Sequence, residues 1–208
     1  MFMEMTMEEF LNELASDSPA PGGGSVSALA GGLGAALVAM VARLTAGRKG
    51  PADLEEKIEE NLQVTLRLRQ NLQEDVDRDT AAYNEVVEAY RMPKKTAAEK
   101  EARSRAIQEA LKGATQLPLQ VAQRSLEVLR LSLWALEKGN PNTWSDAAVA
   151  ALMAQSGIEG ALANVAINLD GIKDNTFKEK MKAQAGEIRR EAQLLREKIG
   201  DPLGERLS

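Results

Sequence analysis

One aspartate in this chain falls where an apolar residue is due. The segment that opens at Asp53 reads Leu54, Ile58, Leu62, Thr65, Leu72 and Val76, then Asp79, then Tyr83, Val86 and Tyr90. Ile58, Thr65, Leu72, Asp79 and Val86 lie seven apart and therefore share one helix face. Asp79 interrupts that core stripe, whereas Asp75 and Asp77 fall off it and read as solvated. A buried carboxylate must be paired, hydrogen-bonded or protonated. Loss of water also raises its pKa, towards the range where a carboxyl group gives and takes protons near neutrality. An ion pair with an inward Arg69 or Arg43, or a specificity contact inside a bundle, would account for the same placement. Acid–base chemistry and a structural role both stand at this point.

The composition narrows which chemistry is available. The 208 residues include no cysteine and no histidine. Disulfides, zinc fingers, cysteine nucleophiles and histidine bases are excluded, and no metal site is expected. Proton transfer must therefore run through carboxylates, lysine, tyrosine or water. The net charge of −5 and the absence of a Lys/Arg cluster argue against nucleic acid as a partner.

A second candidate is the uncharged run that begins Ser18-Pro-Ala-Pro-Gly-Gly-Gly-Ser25 and continues to Ala42. It is long enough for a membrane span, yet Ser25, Ser27, Gly31, Gly32 and Gly34 stand where a lipid-facing helix would carry leucines. No Lys-Ser/Thr follows the glycines, so it is not a Walker loop. No strand precedes it and Ser27 replaces the third glycine of a dinucleotide fingerprint. What remains is a turn stiffened by Pro19 and Pro21, three glycines, and Ser25 as a helix cap. Its free amides would make either an anion site or a turn that lets one backbone cross another. Further along, Asn164 and Asn168 share a helix face and suit inter-helix hydrogen bonds or ligand contact. Asp146 suits the first turn of its helix, where it complements the dipole.

Helices must position these groups, and helix signals dominate. Thr6-Met-Glu-Glu9 is a capping box opening a short helix to about Ala15. Asp53, after Pro51, begins a long helix to about Arg91, stopped by Met92-Pro93. Thr96-Ala-Ala-Glu99 opens another to Lys138-Gly139, which Pro118 should kink or break. A helix follows from about Asn142–Ser145 to Leu169, and Thr176-Phe-Lys-Glu179 caps the last, ended by Gly200-Asp-Pro202. In that last helix Phe177, Met181, Ala185, Ile188, Ala192, Leu195 and Ile199 keep helical spacing. With no sustained β alternation, the expectation is one all-α domain over 1–208, an up-and-down bundle of about six long helices. Two helices, about 25–46 and 146–169, are crowded with alanine and glycine. Such helices are central ones in a soluble chain, and six helices would not cover them fully, so a homodimer is expected. The start Met1-Phe-Met-Glu-Met lacks the basic and long apolar regions of a signal peptide, which reads as cytoplasmic.

Pro21-Gly-Gly-Gly-Ser25 before an Ala/Gly helix, Met40-Val-Ala-Arg-Leu-Thr45, Asp79-Thr-Ala-Ala-Tyr83 and Tyr90-Arg-Met-Pro93 occur in that order. Gly139-Asn-Pro-Asn142 before Ser145-Asp146, and Asn164-Val-Ala-Ile-Asn168, complete the set. Together, from about Phe10 to Phe177, they resemble the formimidoyltetrahydrofolate cyclodeaminase/methenyltetrahydrofolate cyclohydrolase family. The resemblance implies an all-helical dimer acting on folate-bound one-carbon units. Its substrate would be a tetrahydrofolate derivative, with no tightly bound cofactor. It implies Asp79 as the acid/base, Gly22, Gly23, Gly24 and Ser25 as the lining of the folate site, and Asp146, Asn164 and Asn168 near it. Tyr83 stands where phenylalanine is common in the family. No formimidoyltransferase region accompanies these motifs, so a stand-alone form is expected. A helical dimer that binds a folate or another small anion without turnover is the alternative.

Overall fold

The computed structural model describes residues 1–46 and 52–200, and all of its regular structure there is helical. Six α-helices follow one another: α1 (Met7–Leu14), α2 (Gly23–Thr45), α3 (Ala52–Arg91), α4 (Ala97–Lys138), α5 (Trp144–Leu169) and α6 (Asn175–Ile199). Five are long and α1 is short. Single 3-10 turns at Phe2–Glu4 and Pro141–Thr143 precede α1 and α5. Pro51, expected to precede α3, and the Asp201-Pro202 stop lie outside the described residues.

Local signals account for most of these limits. Both expected capping boxes are formed: the Thr6 and Thr96 hydroxyls accept from the Glu9 and Glu99 amides, while each glutamate takes the threonine amide. The cap of α6 differs from expectation. Asp174, not Thr176, is the cap and accepts the Phe177 amide, because the helix begins two residues earlier and a short carboxylate at that position competes well. Pro118 does not break α4, which runs through it unbroken. Proline removes the amide that would bond the Ala114 carbonyl. The Asn168 side-chain amide of α5 donates to that carbonyl instead, at 2.7 Å.

α2, α4 and α5 pack on one another, with α3 against α2 and α4 and α6 against α4 and α5. Ser25 meets Val76 and Gly31 meets Leu72, so α2 and α3 run antiparallel. α2 and α5 do too, with backbones almost touching. A Cβ on Gly157 would lie 3.0 Å from both the Gly31 amide nitrogen and the Ser27 carbonyl, and one on Gly34 2.9 Å from the Ala150 carbonyl. This close approach is what the small residues provide. α2 is long and apolar enough to cross a membrane, but Ala28, Ala35, Val38, Val41 and Ala42 are wholly buried against its neighbours. Its burial is not all-round: Val26, Leu33 and Leu44 remain open on one side, as do Val149 and Leu152 of α5.

The α3 stripe follows expectation at Ile58, Thr65 and Leu72, which are buried. Tyr83 and Tyr90 are exposed instead. α2 begins opposite Asp79, so the rest of α3 has little besides α4 to pack against, and its tyrosines face out.

Candidate active site

The first turn of α2 has no side chain of its own to cap it: Gly22 occupies the cap position and offers none. The free amides of a helix start need acceptors, and α3 supplies one. The Asp79 carboxylate lies against the Ser25 amide and hydroxyl, the hydroxyl being 3.1 Å from Oδ2. Ser25 is therefore not the cap of α2, as its sequence position suggested. It lies in the first turn, wholly buried, with Oγ also 2.9 Å from the Val76 carbonyl. Gly24 is required by the same approach, since a Cβ there would run into the Asp79 carboxylate.

Asp79 is half-buried and belongs to no ion pair among the described residues, so neither Arg69 nor Arg43 neutralises it. Burial pushes its pKa above the ordinary carboxylate range, while the Ser25 hydroxyl and amide pull it back. Burial and the Ser25 hydrogen bonds thus act on this carboxyl group in opposite directions, at the positive end of a helix.

The other expected site residues separate into three groups. Gly23 and Asn164 join Asp79: the Asn164 amide lies over Gly23, 3.5 Å from where a Cβ would sit, and donates to the Gly160 carbonyl. Gly22 completes the turn, close to the Pro19 carbonyl. Asn168, one turn further along α5, holds α4 through Ala114. Asp146 sits at the opposite end of α5, five turns or about 27 Å from Asn164. Within one chain it cannot share a ligand with Asp79 at contact distance.

Two carboxylates read from sequence as solvated have partners in the fold, and one of them is buried. Asp77 accepts the Phe2 amide at 2.6 Å. Asp75 is completely buried and paired with Arg124 of α4 and Arg78 of its own helix. Heptad spacing carried the missed signal: Asn61, Leu68, Asp75, Ala82 and Ala89 form a second seven-residue row, beside the one containing Asp79. Asn61, Asp75 and Ala89 of that row are buried.

Two sizeable grooves lie away from this cluster. One, about 560 Å³, is lined by residues between Met1 and Glu13; the other, about 520 Å³, lies between the start of α5 and the end of α6. Neither contains Asp79 or any other buried carboxylate, so the chemistry points to the α2–α3 junction. Among the described residues no cluster of acids could hold a metal ion.

Gly24→Ala tests this packing directly. The helix gains about 1 kcal/mol of propensity, but the new Cβ displaces the carboxylate. Displacements of this kind cost on the order of 10²-fold in turnover. With Asp79 as the acid/base, the expected result is a protein that stays folded by circular dichroism with kcat reduced by about that factor.

Comparison with known proteins gives the chain a family. The chain is 42% identical to a methenyltetrahydrofolate cyclohydrolase from Methylorubrum extorquens over 194 residues, covering 93% of each protein. It is 34% identical over 190 residues to the formimidoyltransferase-cyclodeaminase of Mus musculus, covering 91% of this chain but 35% of that longer protein. The crystal structure of a formiminotetrahydrofolate cyclodeaminase from Thermotoga maritima superposes with a TM-score of 0.87 at 27% identity, covering 98% of each chain. Residues 6–187 match the formiminotransferase-cyclodeaminase family, and the chain belongs to it.

Proposed function

We propose that this protein is a folate one-carbon enzyme that hydrolyses methenyltetrahydrofolate to formyltetrahydrofolate, with Asp79 as its acid/base. The observation that carries this reading is a half-buried carboxyl group without a cationic partner, held by Ser25 at the start of α2. The full-length likeness to a cyclohydrolase of equal span supports hydrolysis as the first reaction to test.

The substrate's one-carbon bridge is a cationic amidinium, activated by its own charge. An ionised Asp79 stabilises that cation and orients water towards the bridging carbon. As water attacks, its proton passes to the carboxylate. The same proton then goes to the leaving ring nitrogen as the carbon–nitrogen bond breaks, the adduct's hydroxyl gives up its remaining proton to solvent water as the carbonyl forms, and the formyl group remains on the other nitrogen. Gly23, Gly24 and Asn164 would shape the surface on which the ring system rests.

Cyclodeamination is the second reading, favoured by the likeness to the Thermotoga structure and the mouse protein. There a folate nitrogen attacks the formimidoyl carbon, and ammonia leaves with a proton delivered by the acid form of Asp79. The open apolar stripe of α2, with Val26, Leu33 and Leu44 each exposed by 37–50%, supports a homodimer formed across that face.

Loss of the methenyltetrahydrofolate chromophore, corrected for spontaneous hydrolysis, tests the first reaction. No acceleration by the wild-type protein overturns the cyclohydrolase reading. Ammonia release from formimidoyltetrahydrofolate decides the second.

A further inference from the structure

We propose that Ser25 is a positioning residue that acts through Asp79, its single hydroxyl hydrogen serving both protonation states of that carboxyl group. The proposal rests on Asp79 being the acid/base. Ser25 Oγ stands between two acceptors, the Val76 carbonyl at 2.9 Å and Asp79 Oδ2 at 3.1 Å, and is wholly buried. A hydroxyl has one hydrogen to donate and lone pairs to accept with. When Asp79 is ionised, Ser25 donates to Oδ2. Once Asp79 has taken a proton, the carboxyl O–H donates to Oγ, and the Ser25 hydrogen turns to Val76. Neither state leaves a buried polar group without a partner, so the proton that moves during turnover does not cost a hydrogen bond.

The groups around Asp79 leave this role to Ser25. From α2 it meets only the uncharged Gly24–Ser25 turn, and the nearby residue of α5, Asn164, is neutral. On its own helix, Asp75 one turn back is tied to Arg78 and to Arg124 of α4, and Tyr83 lies one turn ahead. The N-terminal turn, whose Phe2 amide bonds Asp77, brings the Met1 amino group and Glu4, which pair with each other. Ser25 is the one side chain hydrogen-bonded to Asp79 among the described residues.

Ser25→Ala tests the proposal by two independent readouts. Turnover is expected to fall about tenfold, the worth of one hydrogen bond to a charged group. KM should be little changed, and the inflection of the pH–rate profile should move upward because the ionised form loses its donor. Adding Ser25→Ala to Asp79→Asn should have no further effect on kcat. The second readout needs no activity: carbon-13 NMR of the Asp79 carboxyl should show it titrating at higher pH in Ser25→Ala than in wild type. Ser25→Cys keeps the volume with a weaker donor and should titrate between them. An unmoved carboxyl titration overturns the proposal whether or not the protein turns over folate. A raised KM with an unmoved pH profile overturns it in favour of direct substrate contact. If the titration moves but wild type shows no turnover, Ser25 controls Asp79 and the folate reading alone has failed.

Discussion

Replacing Asp79 by asparagine is expected to lower turnover of methenyltetrahydrofolate by about 10²–10⁴-fold, the usual contribution of a positioned acid/base. Asparagine keeps the size of the side chain and still accepts from the Ser25 hydroxyl, so α2 retains its acceptor. What disappears is the negative charge facing the amidinium cation and the ability to carry a proton. Both serve the transition state more than the bound substrate, so the loss should appear in kcat rather than in KM. Full activity in the variant would remove Asp79 from the mechanism.

The same substitution should leave the protein at least as stable as wild type near neutrality. Burial raises the folded pKa of Asp79 above its unfolded value. A carboxyl group shifted in this direction contributes stability that is fully present below the unfolded pKa and lost as pH rises through the folded one. At neutral pH the wild type therefore carries an ionised, partly desolvated carboxylate that asparagine does not. Thermal melts should show Asp79→Asn higher in Tm at neutrality, with the gap closing in mild acid. A variant that loses activity while holding or gaining stability is the behaviour of a site residue; simultaneous loss of both would mark a structural one.

The helices were legible because their signals are local. Two capping boxes, the Pro93 stop and the glycine at 139 each act within a few residues of chain, so spacing alone exposes them. Features closed by distant partners were not. Pro118 reads as a helix breaker until Asn168, on another helix, is seen to take up the stranded Ala114 carbonyl. Tyr83 and Tyr90 continue an apolar period, but nothing in that period says that α2 starts opposite Asp79 and leaves them uncovered. The glycine turn was legible as a place where amides await an acceptor. That the protein itself supplies one, through Asp79 fifty-four residues from Ser25, was not. Asp79 stands out against one heptad row, whereas Asp75 lies in an adjacent row whose polar and small residues Asn61, Asp75, Ala82 and Ala89 do not advertise burial. Asp146 and Asn164 share a helix and a face, yet they occupy opposite ends of it, a separation that grouping by residue type overlooks.

Asp75 carries the second large effect, and its sign depends on which partner is removed. Its carboxylate is completely buried, while the Arg124 and Arg78 side chains retain 23% and 52% of their exposure. Burial raises the pKa of Asp75 even with both arginines beside it, and Arg124 is the stronger of the two opposing influences. Arg124→Met keeps the apolar stem but leaves a dry carboxylate with only the more exposed Arg78. Breaking a buried pair from this side costs about 3–5 kcal/mol, and the remaining arginine places the expected loss near the lower end. Asp75→Leu removes the group that cannot reach water and leaves two arginines that can, so it should cost far less. The double variant should recover most of what Arg124→Met loses. Urea titrations of the three proteins near neutrality test this order. The deficit of Arg124→Met should also shrink in mild acid, because a protonated Asp75 no longer needs its cation. Equal losses for Arg124→Met and Asp75→Leu would show that packing, and not the stranded charge, sets the energy of this cluster.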